Sequence, residues 1–573
     1  MEWKSTFKEW ENFENLDKDV RAQMSALKSD EDKEDAFGAT MSFGTAGMRG
    51  FIGAGPNRMN IYTVRQATEG VAKLLNQADP KEKAKGVVIA YDNRNYSPEF
   101  AMEAAKVLGF HGIKTYLFDS LRPTPELSFA IRHLGTANGI VITASHNPAA
   151  YNGYKIYGSD GGQMPPEDAD NLTKFIREID NPLTVEVGDE KTLRENGTIT
   201  IIGEEVDKAY LNEMKAVTIN EDLVKEWGPK INITFTPLHG TGVVLGPRAL
   251  QQAHFTNIHK VEEQLVTDGD FPTVVSPNPE SPGAFDMALE LGIKEDSDII
   301  LATDPDADRL GAMIRVSKGE YKLLTGNQIA SLMIDYILNA LKAQGELPEN
   351  GVVVKSIVST KLADKILESY GLEIVEVLTG FKFIAEKIHE YEQTGKHTFL
   401  MGFEESYGYL VKPFARDKDA IQALVVLAEL TAFHKSEGRT LADALEAIYK
   451  KHGYFKEVTI SIDFPGLSGK EKMANIMKHI REESLTSIAG EAVVKSEDYL
   501  TGKAVDVDGN ESTLNYPSSD ALRYTLADGS WVAFRPSGTE PKIKLYLGVT
   551  ADTKEAVEEK AKQIEADMRK LTE

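Results

Sequence analysis

The sequence predicts an α/β chain of three similar domains on mixed, mostly parallel sheet, with a C-terminal α+β domain, all around a central cleft. Three observations predict it: the length, a strand–helix grammar that recurs three times, and a change of texture after about Lys451. At 573 residues the chain exceeds one hydrophobic core, and about 150 residues per domain gives roughly four domains. Hydrophobic residues make up 41% and charged residues 27%, ordinary values for chains that bury cores.

The first forty residues mix Trp, Phe, Leu and Met with many charges, a pattern that predicts amphipathic helix lying on the body. The grammar then begins. Gly86 to Asp92 reads as a strand, Ser97 to Leu108 as a helix, and Lys114 to Phe118 as a second strand leading through Pro123 and Pro125 into another helix. A third strand, Gly139 to Ile142, runs into Thr143-Ala144-Ser145-His146-Asn147-Pro148. The order returns from Ile231 to Phe235, through Pro277, Pro279 and Pro282, to a strand at Asp298–Ala302 that ends in Asp304-Pro305-Asp306-Ala307-Asp308-Arg309. It returns again from Gly351 to Val354, through Leu372–Val377 and Thr379-Gly380-Phe381-Lys382, to Thr398–Met401 and Gly402-Phe403-Glu404-Glu405-Ser406. Strands alternating with helices at this spacing indicate βαβ units. Each unusual loop follows the C-terminal end of a strand, where open α/β sheets place ligands, so three repeats aim three loops at one place.

After Lys451 the runs Val458–Ile462, Trp531–Phe534 and Ile543–Leu547 precede a charged helix from Thr553, which fits a smaller α+β domain. The expected boundaries are 1–205, 206–318, 319–450 and 451–573, carrying in turn the serine loop, the acidic loop, the Glu404 loop and an Arg535 loop.

Composition excludes several function classes. Lys+Arg number 64 against 89 Asp+Glu, a net charge of −25, which repels nucleic acid and anionic lipid. A phosphate site must then be a local exception built from arginine, lysine, backbone N–H groups or a metal. The absence of cysteine removes disulfides, Cys-ligated zinc and thiolate catalysis. Met1-Glu2-Trp3-Lys4 opens no apolar leader, and no run approaches the roughly 18 apolar residues of a membrane span. The expectation is a cytoplasmic protein, monomeric or a weak homodimer.

The motifs are individually ambiguous. Asp304, Asp306 and Asp308 alternate, so in an extended segment their carboxylates fall on one side as hard oxygen donors; a solvated acidic turn is the alternative. An EF-hand loop fails because Arg309 and Arg315 occupy the positions of its glycine and its last glutamate. All-carboxylate ligation favours Mg²⁺ over zinc or copper. Arg535-Pro536-Ser537-Gly538-Thr539 combines a guanidinium fork, two hydroxyls and a permissive turn, the parts of an anion cradle, though a surface turn has the same composition. Ser145 beside His146 suggests a triad, but neighbouring residues seldom align a hydroxyl with an imidazole, and no G-x-S-x-G elbow surrounds it. Glu404-Glu405-Ser406 offers acceptors for vicinal sugar hydroxyls, or is a solvated bend. Neither a P-loop nor a G-x-G-x-x-G fingerprint occurs.

The four motifs together, in this order, resemble the α-D-phosphohexomutase superfamily, which includes phosphoglucomutases and phosphomannomutases, and most resemble its longer phosphoglucomutase and phosphopentomutase branch. The resemblance runs from about Gly44 to Leu547. It implies a sugar-phosphate mutase that interconverts glucose 1-phosphate and glucose 6-phosphate through a phosphoserine and a glucose 1,6-bisphosphate intermediate and activator. By position, Ser145 would carry the phosphoryl group, and Asp304, Asp306 and Asp308 would hold Mg²⁺ with an oxygen of that group. Arg49, Lys155, His146 and Arg309 would serve the reaction centre, Glu404, Ser406 and Lys382 the sugar, and Arg535, Ser537, Gly538 and Thr539 the non-reacting phosphate. Some members follow Glu-x-Ser with Gly-His, whose histidine moves a proton; here Tyr407-Gly408 follows, so the relay falls to Lys155, His146 or Lys382. Pentose and mannose phosphates remain alternative substrates. A phosphatase phosphorylated on Asp304 and a non-catalytic sugar-phosphate sensor are rival classes.

Overall fold

The computed structural model describes every residue except 1, 2, 45, 46, 465–468, 484, 538–541 and 573. The chain forms two compact units, Met1–Leu324 with Ala385–Gly395 and Ser406–Thr440, and Thr325–Ile384 with Lys396–Glu405 and Leu441–Glu573.

The first unit opens with three helices, Trp3–Asn12, Lys18–Ala26 and Asp30–Phe37. Their apolar faces meet the body as expected: Trp10 is buried edge-to-face between Phe37 (5.7 Å) and Tyr62 (5.4 Å). The first sheet then has a parallel centre of Asn138–Ile142, Val87–Tyr91, Thr115–Phe118 and Ile199–Ile202. Val87-Val88-Ile89-Ala90 is an unbroken apolar run because all four residues are fully buried, the signature of a strand covered on both faces. The second sheet repeats the plan with Ile299–Thr303, Asn232–Thr236 and Asn257–Lys260 in parallel.

Antiparallel strands at the edge of each parallel centre make these sheets mixed, as expected. The serine loop does not lead into a crossover helix; it turns back into Tyr151–Tyr157, antiparallel to Asn138–Ile142. The acidic loop likewise returns through Leu310–Ser317, antiparallel to Ile299–Thr303. Both loops are therefore pinned at each end by neighbouring strands. Tyr151–Tyr157 escapes sequence reading because it is buried throughout most of its length and shows no alternation.

In the second unit Glu373–Val377, Gly351–Ser356 and Thr398–Glu404 are parallel. The C-terminal sheet is antiparallel, ordered Tyr454–Asp463, Lys542–Ala551, Trp531–Pro536, Leu522–Leu526, Glu491–Asp498 and Lys503–Asp506. The terminal helix Lys554–Lys570 covers it with Val557, Ala561, Ile564 and Met568. No helix among the described residues is long and apolar enough to cross a membrane.

Glu457, on Tyr454–Asp463, has one buried carboxylate oxygen without a hydrogen-bond partner, and burial pushes its pKa up to about 7 from 4.5. A carboxyl that holds its proton more tightly when folded adds stability below the unfolded value and loses it as pH rises through the folded value. Glu457→Gln is therefore expected to match the parent near about pH 5 and to exceed its stability by about 2 kcal/mol near about pH 8. Melting temperatures of both proteins across that range check this.

Candidate active site

Ser145 lies three residues beyond the end of the strand Asn138–Ile142, with φ at +51° and its side chain buried. The left-handed region is costly for a residue with a Cβ and persists only where surroundings over-determine it. Here the surroundings are explicit. The Thr143 hydroxyl accepts the Ser145 N–H at 2.8 Å. The buried Arg94 guanidinium donates to the carbonyls of Ser145 (2.6 Å), Pro148 (2.9 Å), Tyr151 (3.1 Å) and Asn147. Asp92 neutralises Arg94 at 3.3 Å, and the Phe271 ring faces it at 5.1 Å. One arginine thus holds the whole serine loop from below.

The acidic loop converges, but not as an extended segment. It is a tight turn with Ala307 at φ +51°, in which the Asp304 carboxylate accepts the N–H groups of Asp308 (3.1 Å) and Arg309 (3.0 Å). The chain reversal, not strand alternation, brings the three carboxylates together, all buried and each offering an oxygen within 4.8 Å of the others. Two supports hold the turn. Thr241 N–H donates to the Pro305 carbonyl at 2.7 Å, and a side chain at Gly240 would collide with Pro305. Thr124, the first residue of the helix Thr124–Leu134, donates its N–H to the Asp306 carbonyl and its hydroxyl to the Asp306 carboxylate, both at 2.9 Å.

Serine and carboxylates meet directly: Ser145 Oγ donates to Asp304 Oδ2 at 2.9 Å. Asp306 Oδ1 and Asp308 Oδ1 are buried without hydrogen-bond partners. Buried oxygens of this kind fit a hard divalent cation. Two lysines also answer the charge: Lys155 Nζ lies 3.1 Å from Asp306 and 3.7 Å from Asp308, and Lys418 Nζ lies 3.1 Å from Asp308 and 2.9 Å from Asp417. Burial and the neighbouring carboxylates push Asp304 well up, whereas Asp306, despite its burial, is held low by Lys155.

His146 Nδ1 is 3.2 Å from Ser145 Oγ, so the neighbouring pair does align. Burial, with Arg309 and Arg49 nearby, pushes the imidazole well below its usual range and keeps it neutral. Arg49 donates to Asn147 Oδ1 at 3.0 Å. Arg309 is engaged by Glu280 at 2.8 Å and by the Ser406 carbonyl at 3.0 Å.

In the second unit, Glu404 Oε1 accepts the Gly380 N–H at 2.7 Å, at a φ of +126° that favours glycine. Lys382 stands over the Phe383 ring at 5.1 Å. Arg535 is the next-to-last residue of the strand Trp531–Pro536, and Ser537 N–H donates to the Lys542 carbonyl at 2.8 Å. Gly538 and Thr539 lie outside the described residues.

Sequence reasoning missed Arg94, Thr124 and Lys418. Lys418 left a signal, since Arg416-Asp417-Lys418-Asp419 are four consecutive charged residues, all buried, ahead of an apolar helix. Arg94 and Thr124 act through backbone carbonyls and a single carboxylate, which no residue spacing announces.

A strained serine hydrogen-bonded to one of three buried carboxylates, on repeated parallel-sheet domains, is an arrangement suited to phosphoryl transfer beside a divalent cation. Comparison with known proteins fixes the family. Models of phosphoglucomutase/phosphomannomutase alpha/beta/alpha domains I, II and III match residues 40–183, 208–317 and 325–452, and the model of the C-terminal domain matches 477–567. A phosphoglucomutase of Staphylococcus saprophyticus is 38% identical over 555 residues, 97% of this chain and 98% of that protein. One from Staphylococcus aureus is 39% identical over 525 residues, 91% of this chain and 92% of its own. In fold, the chain is similar to a putative phosphomannomutase of Thermus thermophilus (TM-score 0.68, 23% identity, covering 93% of this chain and 99% of that one). It is also similar to the Paramecium phosphoprotein parafusin, a phosphoglucomutase (TM-score 0.67, 17% identity, 93% and 95% covered). The chain belongs to the phosphoglucomutase/phosphomannomutase family.

Outer partners of a metal ligand typically set its affinity by about 10–100-fold. Thr124→Val, which keeps the shape but loses the hydroxyl on Asp306, is therefore expected to weaken divalent-cation binding by about tenfold. Calorimetric titration of the cation into parent and variant checks it.

Proposed function

We propose that the protein is a Mg²⁺-dependent cytoplasmic phosphoglucomutase, monomeric or weakly dimeric, that interconverts glucose 1-phosphate and glucose 6-phosphate. The hydrogen bond from Ser145 Oγ to Asp304 within the buried carboxylate cluster is the observation that supports this most directly. Asp304, Asp306 and Asp308 would hold the ion, which supplies charge neutralisation at the phosphoryl oxygens when bound.

Phosphoryl transfer needs alignment and charge neutralisation more than covalent assistance. In the forward half-cycle the bond from Ser145 Oγ to phosphorus breaks, and a new bond forms from phosphorus to a sugar hydroxyl. That hydroxyl's proton passes to a base. His146, kept neutral beside Ser145, is the first candidate, with Lys155 and Lys382 as alternatives. The resulting glucose 1,6-bisphosphate turns over and returns its other phosphoryl group to Ser145. Arg49 and Arg309 would balance the charge at the reacting end, the latter by exchanging Glu280 for phosphate. Glu404 and Ser406 would hold the sugar hydroxyls, and Arg535, Ser537, Gly538 and Thr539 the far phosphate.

Ser145→Ala is expected to reduce mutase turnover by about three orders of magnitude, equivalent to ~4 kcal/mol of barrier. A coupled glucose 1-phosphate assay measures it, and near-parental turnover would sink the reading. After incubation of the parent with glucose 1,6-bisphosphate, mass spectrometry should find the phosphoryl group on Ser145; label on Asp304 would mean a phosphatase-type mechanism instead.

A further inference from the structure

Arg523, on the strand Leu522–Leu526, is buried and belongs to no motif. Its Nε donates to Glu497 at 2.6 Å, and its Nη1 donates both to Glu376 at 2.9 Å and to the carbonyl of Ile357 at 3.0 Å. Glu376 also takes Lys361 at 2.5 Å. The guanidinium therefore has two carboxylates to neutralise it, and spends one N–H on a neutral carbonyl.

That carbonyl belongs to the turn after Gly351–Ser356, whose serine side chains reach Glu405. Ser356 and Ser359 lie on either side of it: the Ser359 hydroxyl donates to Ser356 Oγ at 2.8 Å, and the Ser356 hydroxyl donates to Glu405 Oε2 at 2.8 Å, with Ser359 Oγ 3.4 Å from the same oxygen. Adjacent Glu404 is fixed separately by the Gly380 N–H. Arg523 thus stands behind the hydroxyl-binding turn through two hydrogen-bonded links.

Its other side belongs to the sheet that carries Arg535. Arg523 pairs with Ala533, two residues before Arg535 on the same strand, and Ala533 pairs with Tyr546. Tyr546 is buried with Trp531, Tyr499, Ile357 and Val358 in one apolar cluster. The Arg535 side chain lies near the Tyr546 phenol, with the Glu405 and Glu404 charges close by. All these residues lie within the second unit.

We propose that Arg523 is a positioning residue that fixes the span between the Glu404–Glu405 turn and Arg535, and that this fixed span selects hexose over pentose phosphates. The proposal rests on the reading of those two elements as the sugar and far-phosphate contacts. A sugar one carbon shorter cannot satisfy both ends of a rigid span, whereas a loosened span forfeits the fit that favours the hexose. One methylene of mismatch is worth about 10–200-fold in selectivity.

The test compares kcat/KM for glucose 1-phosphate and ribose 1-phosphate in three proteins. Arg523→Met alone strands two buried carboxylates, so it is made together with Glu376→Gln and Glu497→Gln, which removes the charges at once. Ser356→Ala with Ser359→Ala breaks the hold on Glu405 and leaves the ion pairs intact, so it carries the test if the triple variant does not fold. Either variant is expected to lower the hexose-to-pentose ratio by roughly tenfold, mainly through a higher KM for glucose 1-phosphate. An unchanged ratio, with both substrates slowed equally, would overturn the proposal. Arg535→Ala separates the two levels of the argument. If it leaves the KM for glucose 1-phosphate unchanged, the far-phosphate reading fails and the proposal with it. If it raises that KM while the ratio in the other variants stays put, the span proposal alone fails.

Discussion

Three carboxylates buried within 4.8 Å of one another set the terms for the first unit. Burying one ion costs several kcal/mol, and like charges at that separation add to the cost. The cluster exists because cations are brought to it from distant parts of the sequence. Lys155 arrives on the antiparallel strand that returns from the serine loop, and Lys418 arrives from the segment ahead of the helix Ala420–Ser436. The two oxygens left without partners mark what the lysines do not satisfy. A divalent cation would complete that balance, so that fold and chemistry would answer the same electrostatic demand.

Part of the backbone strain, at three of the ten non-glycine residues with positive φ among the described residues, falls on the same map. Ser145, Ala307 and Tyr407 have positive φ, and each lies in a loop that reaches this cluster or its arginine. Each is held from outside: the serine loop by Arg94, the acidic loop by Thr241 and Thr124, and the Tyr407 carbonyl by the Leu310 N–H at 3.0 Å. Such conformations cost of order 1–3 kcal/mol each. Their clustering points to a site set up before substrate arrives, as charge-stabilising catalysis requires.

The sequence made the parallel strands and loop positions legible because continuous apolar runs ending in polar clusters are visible without tertiary knowledge. The three aspartates were likewise readable from residue type. What failed was the reason for their convergence, since a chain reversal through Ala307 leaves no mark on composition. The antiparallel return strands were hidden for a related reason: Tyr151–Tyr157 is buried on both sides and so lacks the period-two pattern of a half-exposed strand. Arg94 was invisible because it works on backbone carbonyls, which are the same at every position, and Arg523 because its carboxylate partners Glu376 and Glu497 lie far from it in sequence.

The missing family histidine shows how local geometry redirects the chemistry. Its place is taken by Tyr407-Gly408, and the Tyr407 phenol donates to the Leu324 carbonyl at 2.9 Å while burial raises its pKa. A phenol fixed in that way is a structural strut and has no proton to exchange near neutrality. The groups already at the serine are then the candidates for a relay. Lys155 is tied to two carboxylates, whereas His146 stands 3.2 Å from Ser145 Oγ with its imidazole held neutral by burial and two arginines. The burial and arginines that keep the ring neutral also make it a weaker base than a free imidazole. His146 is thus the imidazole nearest the serine oxygen that could stand in for the absent histidine, with its basicity reduced.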